Sequence, residues 1–328
     1  HREFAPRVAA VAGAVPSLRA FVYVEDGSGA DISGVDAAEY EAAIAAASPE
    51  RDFGERSGDD LYLIYTGGTT GMPKGVMWRH EDLIFAGLQG GNPGGPPLQR
   101  AEDIGPAAAA RSAPPSTLPV APLMHGNGHW AALIGLHGGG KLVLAERRPL
   151  DPHEIWSLVE REGVNVMSIV GDAMAQPLAN ALHERDYDTS ALMVISSGGA
   201  IWSEPVKDQL RAKLGGVLLI DAFGASEAGH QGMNLGANEG RPRFSVDAHT
   251  AVLDDNLRRI APGSGIVGRL ARTGRLPLGY YKDEAKTAAT FVTDPDGARW
   301  VIPGDMAIVE ADGTVTLLGR GSLCINSG

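Results

Sequence analysis

The chain has 328 residues, of which 44% are hydrophobic and 21% charged, so it holds enough apolar material for a folded core and is not a disordered chain. A net charge of -12 disfavours nucleic acid and anionic membranes as partners, because both reward clustered Lys and Arg. The single cysteine excludes an intrachain disulfide framework and favours a reducing compartment, the cytoplasm, and no apolar run reaches the roughly 20 residues of a transmembrane helix.

The beginning of the chain carries no initiator Met and no signal-peptide pattern. Its first residues are typical of the end of a helix, and a strand is predicted at Ala20–Val24. We therefore expect the chain to start inside a domain whose earlier part is missing. The Ala-rich segment Asp36–Ala47 is predicted to be helical.

Short apolar runs alternate with amphipathic stretches from Asp60 onward. The predicted strands are Leu61–Tyr65, Lys141–Ala145, Val164–Val170, Leu192–Ser196 and Val217–Asp221. One helix is predicted to begin at Asp151, an N-cap followed by Pro152 and by Glu154 at the capping-box position; another runs from Ser203 to Leu214. This alternation predicts an α/β fold with mainly parallel sheets covered by helices.

Two regions break that rhythm. Gly87–Ser116 is dense in Gly, Pro and Ala, and is predicted to be a long surface loop. After Gly240 short apolar segments alternate with turn signals, which predicts a β-rich subdomain. The expected organisation is an α/β part over residues 1–240 and a β-rich subdomain over residues 241–319.

The strongest chemical signal is the segment YTGGTTGMPKGV, residues 65–76, directly after a predicted strand. Glycines let backbone N–H groups face anionic oxygens, the Thr hydroxyls donate further hydrogen bonds and Lys74 adds charge, so the segment is typical of a phosphate-binding loop. It is neither the G-x-x-x-x-G-K-[ST] loop nor the dinucleotide fingerprint, because the spacings differ. The alternative is a flexible surface turn.

This segment resembles the signature of the adenylate-forming (ANL) superfamily, which contains acyl-CoA synthetases, luciferases and peptide-synthetase adenylation domains. The usual form has Ser where this chain has Gly67, a change that keeps the backbone donors. In that family the loop holds the β- and γ-phosphates of ATP. The resemblance therefore implies phosphate contacts for Thr66, Gly67, Gly68, Thr69, Thr70, Gly71 and Lys74.

Further motifs follow in the order of that family, from about Leu61 to Gly328. They are PLMHG at residues 122–126, SGGA at 197–200, DAFGASE at 221–227, PGD at 303–305 and GR at 319–320. The implied catalytic residues are Lys74 of the loop, His125 beside the carboxylate and acyl pocket, Ser226 on the α-phosphate and Glu227 on Mg²⁺.

The same resemblance implies the rest of the nucleotide site. Phe223 would stack on adenine, Asp305 would bind the ribose hydroxyls and Arg320 would contact ribose or the α-phosphate. The other implied nucleotide-binding residues are Gly198, Gly199, Ala200, Asp221, Ala222 and Gly224.

The function implied is that of an AMP-forming acid–thiol ligase that uses ATP, Mg²⁺ and coenzyme A. Segments such as TGGTTGMPKGVMWRHEDL and GRGSLCINSG look most like actinobacterial acyl-CoA synthetases, which implies a long-chain fatty acid or a sterol side-chain acid as substrate. In the family a small C-terminal domain with an assisting Lys follows a hinge, here residues 320–328. We expect these 328 residues to bind nucleotide but to adenylate poorly without it.

Alternatives stay open from the residues alone. The acyl-adenylate could pass to a carrier-protein thiol, or the chain could be a nucleotide-binding module without turnover. GASEA at residues 224–228 is close to the G-x-S-x-G nucleophile elbow, so a serine hydrolase built on Ser226 is a third alternative. His125 and His129 could be a metal pair, but no third ligand is evident. A homo-oligomer is a further open alternative for the partners of the chain.

Overall fold

A computed structural model describes residues 1–66, 72–146, 149–236 and 242–320, and for Arg320 the backbone alone. The chain forms two compact units, His1–Arg56 and Ser57–Gly328. In the first unit the helices are α1 (Ala5–Ala12) and α2 (Tyr40–Ala46), and the parallel strands are β1 (Phe21–Tyr23) and β2 (Ala37–Glu39).

The helix predicted over Asp36–Ala47 is only partly correct. Residues 37–39 are extended and pair with β1, and the helix begins at Tyr40. The Glu39 carboxylate accepts a 2.8 Å hydrogen bond from the Ala42 amide, so the helix has its N-cap inside the predicted segment. The strand predicted at Ala20–Val24 is confirmed.

The second unit carries the remaining elements. Its helices are α3 (His80–Ala86), α4 (Ile104–Ala109), α5 (Gly126–His137), α6 (Pro152–Glu162), α7 (Gly171–Glu184), α8 (Glu204–Leu214) and α9 (Glu284–Thr290). Its strands are β3 (Leu61–Thr66), β4 (Lys74–Arg79), β5 (Ser116–Pro119), β6 (Lys141–Leu142), β7 (Val166–Ile169), β8 (Val194–Ser197), β9 (Leu218–Ala225), β10 (Gly229–Asn234), β11 (Arg243–Val246), β12 (Thr250–Leu253), β13 (Gly268–Arg272), β14 (Gly279–Tyr280), β15 (Phe291–Thr293), β16 (Arg299–Val301), β17 (Asp305–Val309) and β18 (Val315–Arg320).

The parallel sheet predicted from the alternating pattern is present. Strands β6, β5, β7, β8 and β9 lie side by side in that order, and every pairing among them is parallel. Helices α6, α7 and α8 pack with these strands around one apolar core, in which Trp156, Met167 and Ile195 are fully buried. The apolar runs of the sequence are therefore the interior strands of an α/β layer, as expected.

The β-rich region after residue 240 extends that sheet. Strand β10 pairs antiparallel with β9 and with β11, and the sheet continues through β18, β17, β13, β16 and β15, with β12 beside β13. The strands expected there are thus present, and they share one sheet with the α/β part. The domain boundaries at residues 240 and 319 stay a prediction.

The segment Gly87–Ser116 is not the plain loop that its composition predicted. It contains α4 and two short 3-10 helices, Gln89–Gly91 and Ala101–Asp103. The Arg111 guanidinium donates to the Asn92 side chain at 2.7 Å and to the Pro93 carbonyl at 2.8 Å, and so ties the two ends of the segment together. Within the described residues, no helix is both long and apolar enough to cross a bilayer.

Helix α6 begins where the sequence predicted. Asp151 is its N-cap, and its carboxylate accepts hydrogen bonds from the amides of His153 at 3.0 Å and Glu154 at 3.2 Å. The Glu154 carboxylate, however, accepts from the Glu146 amide at 3.2 Å. The N-cap is confirmed, and the Glu154 side chain serves the preceding loop.

Asp151→Ala should lower the free energy of unfolding by about 1 kcal/mol, because two amides of α6 lose their acceptor. Urea denaturation followed by circular dichroism measures the change. Asp186→Ala is the control, since that side chain is fully exposed to solvent, and it should cost less than about 0.5 kcal/mol. Equal losses in the two variants would contradict the capping role.

Candidate nucleotide site

The predicted phosphate loop joins two strands of a hairpin. Strands β3 and β4 pair antiparallel, and the last pair in register is Thr66 with Lys74. Lys74 is half-buried, and its Nζ lies 5.7 Å from the centroid of the Tyr280 ring. Gly67, Gly68, Thr69, Thr70 and Gly71 lie outside the described residues.

Ser226 and Glu227 lie in the tight turn between β9 and β10. The turn is closed by a 3.0 Å hydrogen bond from the Ala228 amide to the Ala225 carbonyl. Its strands approach so closely that a Cβ on Gly224 would lie 2.2 Å from the Gly229 carbonyl oxygen. Only a residue without a side chain fits there, so the glycine of the DAFGASE motif has a structural reason.

Two buried side chains hold this turn against the β4 hairpin. The indole N–H of Trp78, a fully buried residue of β4, donates to the Ser226 carbonyl at 2.8 Å. The Tyr280 hydroxyl donates to the Glu227 carboxylate, also at 2.8 Å. Because Tyr280 also faces Lys74, the structure brings the lysine of the loop and the acid of the turn to the same side chain.

The SGGA motif follows β8 and is fixed by α5. The side-chain NH2 group of Asn127 donates to the Ile169 carbonyl at 2.8 Å and to the Gly198 carbonyl at 3.0 Å. Ser197 pairs in register with Asp221, and a Cβ on Gly198 would lie 3.1 Å from the Ala222 carbonyl oxygen, so Gly198 lies beside the DAFGASE strand. Nucleotide contacts of Gly198, Gly199 and Ala200 stay predictions. Gly199 has a φ of +90°, which favours glycine.

Two side chains of the DAFGASE motif face the protein interior. The Asp221 carboxylate accepts a short hydrogen bond from the ammonium group of Lys207, which is 2% exposed and also donates to Glu204 at 2.9 Å. Burial raises the pKa of Asp221, and Lys207 opposes that rise. The Phe223 ring makes an edge-to-face contact with Phe244, with centroids 4.8 Å apart. Nucleotide contacts of Asp221, Ala222 and Phe223 stay predictions.

Asp305 and Arg320 are opposite each other on neighbouring strands. Asp305 is the first residue of β17 and pairs in register with Arg320 at the end of β18. Strands β18 and β11 lie between β17 and the β10 strand that follows the Ser226 turn. The backbones of Asp305, implied to bind the ribose hydroxyls, and Arg320, implied to contact ribose or the α-phosphate, are therefore side by side, and their contact with a nucleotide stays a prediction.

His125 immediately precedes helix α5 and is exposed. His129, one turn further on, has its Nδ1 hydrogen-bonded to the Tyr62 hydroxyl at 3.2 Å. In the described ranges, three metal-ligating side chains come together at His1, Glu3 and Asp26 of the first unit, and the His125–His129 segment is not part of such a group.

The hydrolase alternative conflicts with the backbone around Ser226. A nucleophile elbow places its serine between a strand and a helix. Here Ser226 lies in a turn between two antiparallel strands, β9 and β10. The backbone therefore does not match that alternative, because the elbow relies on the helix that follows it.

Glu227 fits the magnesium role chemically. Mg²⁺ prefers oxygen ligands and usually takes one or two carboxylates beside substrate phosphates and water. Glu227 is a half-buried carboxylate in a fixed turn, held by one hydrogen bond to Tyr280. A single such residue beside the hairpin predicted to bind phosphate meets the requirement.

Sequence reasoning missed Trp78, Asn127 and Tyr280. Each acts through a contact with a residue far away in the chain, such as the 148 positions between Trp78 and Ser226. The available signal was their place in or beside motifs, since Asn127 lies next to PLMHG and Trp78 lies within the segment TGGTTGMPKGVMWRHEDL.

The fold is a mixed α/β domain, and it brings the motif residues Lys74, Ser226 and Glu227 together. The profile of the AMP-binding enzyme family matches residues 4–281, so the chain belongs to that family.

Curated relatives carry CoA ligase names. The 3-oxocholest-4-en-26-oate–CoA ligase of Rhodococcus rhodochrous is 45% identical over 340 residues, which cover 100% of this chain and 60% of the relative. A medium/long-chain-fatty-acid–CoA/3-oxocholest-4-en-26-oate–CoA ligase of Mycobacterium tuberculosis (strain CDC 1551 / Oshkosh) is 46% identical over 335 residues, with the same two coverages of 100% and 60%. The chain thus spans about 60% of the length of these relatives.

Solved structures share the fold. The AMPPNP-bound form of the nonribosomal peptide synthetase FmoA3 matches with a TM-score of 0.74 and 21% identity, over 95% of this chain and 33% of that one. Apo MatB from Rhodopseudomonas palustris matches with a TM-score of 0.69 and 21% identity, over 98% and 58%. At these identities the likeness is one of fold.

The Lys207–Asp221 pair predicts a pH-dependent stability. Lys207→Met leaves the buried carboxylate without its cation and raises the pKa of Asp221 further. The folded state then binds a proton more tightly than the unfolded state, so the free energy of unfolding falls as the pH rises. We expect a loss of about 3–5 kcal/mol at pH 8 and a smaller loss at pH 5, measured by urea denaturation.

The control is the double variant Lys207→Met/Asp221→Asn, which removes both charges and should recover most of the loss at pH 8. A loss in Lys207→Met that does not vary between pH 5 and pH 8 would contradict the buried-carboxylate explanation.

Proposed function

We propose that the chain forms the nucleotide-binding part of an AMP-forming acyl-CoA synthetase. Such an enzyme activates a carboxylic acid as an acyl-adenylate and passes the acyl group to coenzyme A. The observation that carries the proposal is that Lys74 and Glu227 both contact Tyr280. Through these contacts the hairpin proposed to bind phosphate lies beside the carboxylate proposed to bind magnesium. Family membership and the CoA ligase names of the relatives support it.

The chemistry needs charge neutralisation more than a protein nucleophile. A carboxylate oxygen of the acid attacks the α-phosphorus of ATP, the bond from that phosphorus to the bridging oxygen breaks, and pyrophosphate leaves. Lys74 stabilises the negative charge on the departing phosphates, and the Ser226 hydroxyl donates to an α-phosphate oxygen. Mg²⁺, held by Glu227, would supply further positive charge to the phosphates.

The acid proposed is large and apolar. The relatives carry the names of ligases of 3-oxocholest-4-en-26-oate and of medium- and long-chain fatty acids, at 45% and 46% identity over the whole chain. These names support a long-chain fatty acid or a sterol side-chain acid as the substrate here, and coenzyme A as the acceptor. The proposed location of the protein is the cytoplasm.

Binding of magnesium ATP tests the nucleotide site directly. Lys74→Gln and Glu227→Gln should each raise the dissociation constant of Mg·ATP by about 10-fold or more, because each removes a charged contact. Isothermal titration calorimetry on the 328-residue chain measures it. Lys286→Gln, an exposed change on α9, is the control and should bind as the wild type does. Absence of Mg·ATP uptake by the wild type would contradict the proposal.

A panel of acids tests the substrate class. Pyrophosphate release by the full-length protein should be at least about 10-fold faster, as kcat/KM, with a long-chain fatty or sterol side-chain acid than with acetate or an amino acid. Mass spectrometry of the products, with coenzyme A and a carrier-protein thiol both present, identifies the acceptor. A preference for small acids, or acylation of the carrier alone, would contradict the proposal.

A further inference from the structure

Tyr280 contacts both Lys74 and Glu227. It is 5% exposed, its hydroxyl donates to Glu227 Oε1 at 2.8 Å, and its ring centroid is 5.7 Å from the Lys74 ammonium nitrogen. The Phe291 ring packs against it in an edge-to-face contact, with centroids 5.9 Å apart. None of the motifs that indicated a nucleotide site contains Tyr280.

The backbone around Tyr280 is fixed on both sides. Strand β14 pairs with β4, so that Tyr280 is opposite Val76, two residues after Lys74. The Tyr280 amide donates to the Thr287 hydroxyl at 2.9 Å, and the next amide donates to the Gly75 carbonyl at 2.7 Å. The ring therefore has little freedom to leave the Lys74 strand.

A hydroxyl fixed in this way can orient a carboxylate. A phenol keeps its proton at neutral pH and donates one hydrogen bond, which here occupies one lone pair of Oε1 and leaves the other lone pairs of the group available. Residues that hydrogen-bond to the ligands of a metal, without touching the metal, set the orientation of those ligands. Loss of such a hydrogen bond typically lowers metal affinity by about 10–100-fold.

We propose that Tyr280 is a positioning residue. Its hydroxyl holds the Glu227 carboxylate in the orientation that binds a magnesium-bound nucleotide, and its ring keeps that carboxylate in a fixed place relative to Lys74. This inference rests on the proposed nucleotide site. A merely structural role for Tyr280 would affect folding, or nucleotide binding with and without metal alike. A positioning role acts on the magnesium-dependent part of binding.

Tyr280→Phe tests the inference, because it removes the hydroxyl and keeps the ring against Lys74 and Phe291. Calorimetry with a non-hydrolysable ATP analogue, in a series of Mg²⁺ concentrations, gives the apparent dissociation constant for the metal. We expect that constant to rise about 10-fold, with the metal-free affinity for the analogue changed less than about two-fold. Tyr281→Phe, at a neighbouring tyrosine that is 46% exposed, should leave both values as in the wild type.

A second set of variants asks whether Tyr280 acts through Glu227. Glu227→Gln should weaken magnesium-dependent binding, and adding Tyr280→Phe to it should weaken it no further, since the carboxylate to be oriented is gone. Three outcomes would each overturn the inference while the wild type still binds Mg·ATP. They are multiplicative losses of affinity in the double variant, a loss of affinity in Tyr280→Phe that is equal with and without Mg²⁺, and a Tyr280→Phe variant whose affinities equal those of the wild type. Failure of the wild type to bind would overturn the proposed function as well.

Discussion

The candidate site depends on the contact between the paired strands β4 and β14 and the turn that links β9 to β10. Two hydrogen bonds make this contact, from Trp78 to the Ser226 carbonyl and from Tyr280 to the Glu227 carboxylate, each 2.8 Å long. Both donor side chains are buried, which limits competition from water for these bonds. Together with the apolar packing of Val76, Trp78 and Ala228, they hold the hairpin that carries Lys74 against the turn that carries the acid.

The sequence predicted the fold class and the local place of the motif residues well, because both depend on short-range patterns. The apolar runs correctly predicted the parallel strands, and Asp151 correctly predicted the start of a helix. Two expectations were less accurate. The loop predicted at Gly87–Ser116 contains helices that Arg111 ties together, and the helix predicted from Asp36 begins at Tyr40, because the residues before it pair with another strand.

The direction of side chains was beyond the sequence. Residue types in DAFGASE suggested contacts with a nucleotide, whereas Asp221 meets a buried lysine and the Phe223 ring meets Phe244. Strand alternation decides which side chains face inward, and the choice depends on partners such as Lys207 on α8 that no local motif contains. The hydrogen bonds by which Asn127 links the ends of β7 and β8 could not be predicted from the sequence for the same reason.

Trp78 shows a constraint for anyone who redesigns the core of this protein. It belongs to an apolar cluster and is 0% exposed, so a scheme that scores size and hydrophobicity would accept phenylalanine or leucine in its place. Either replacement removes the indole N–H and leaves the Ser226 carbonyl without that donor. Packing libraries for this cluster should therefore keep tryptophan fixed, since its indole N–H donates a hydrogen bond in addition to the volume that the ring fills.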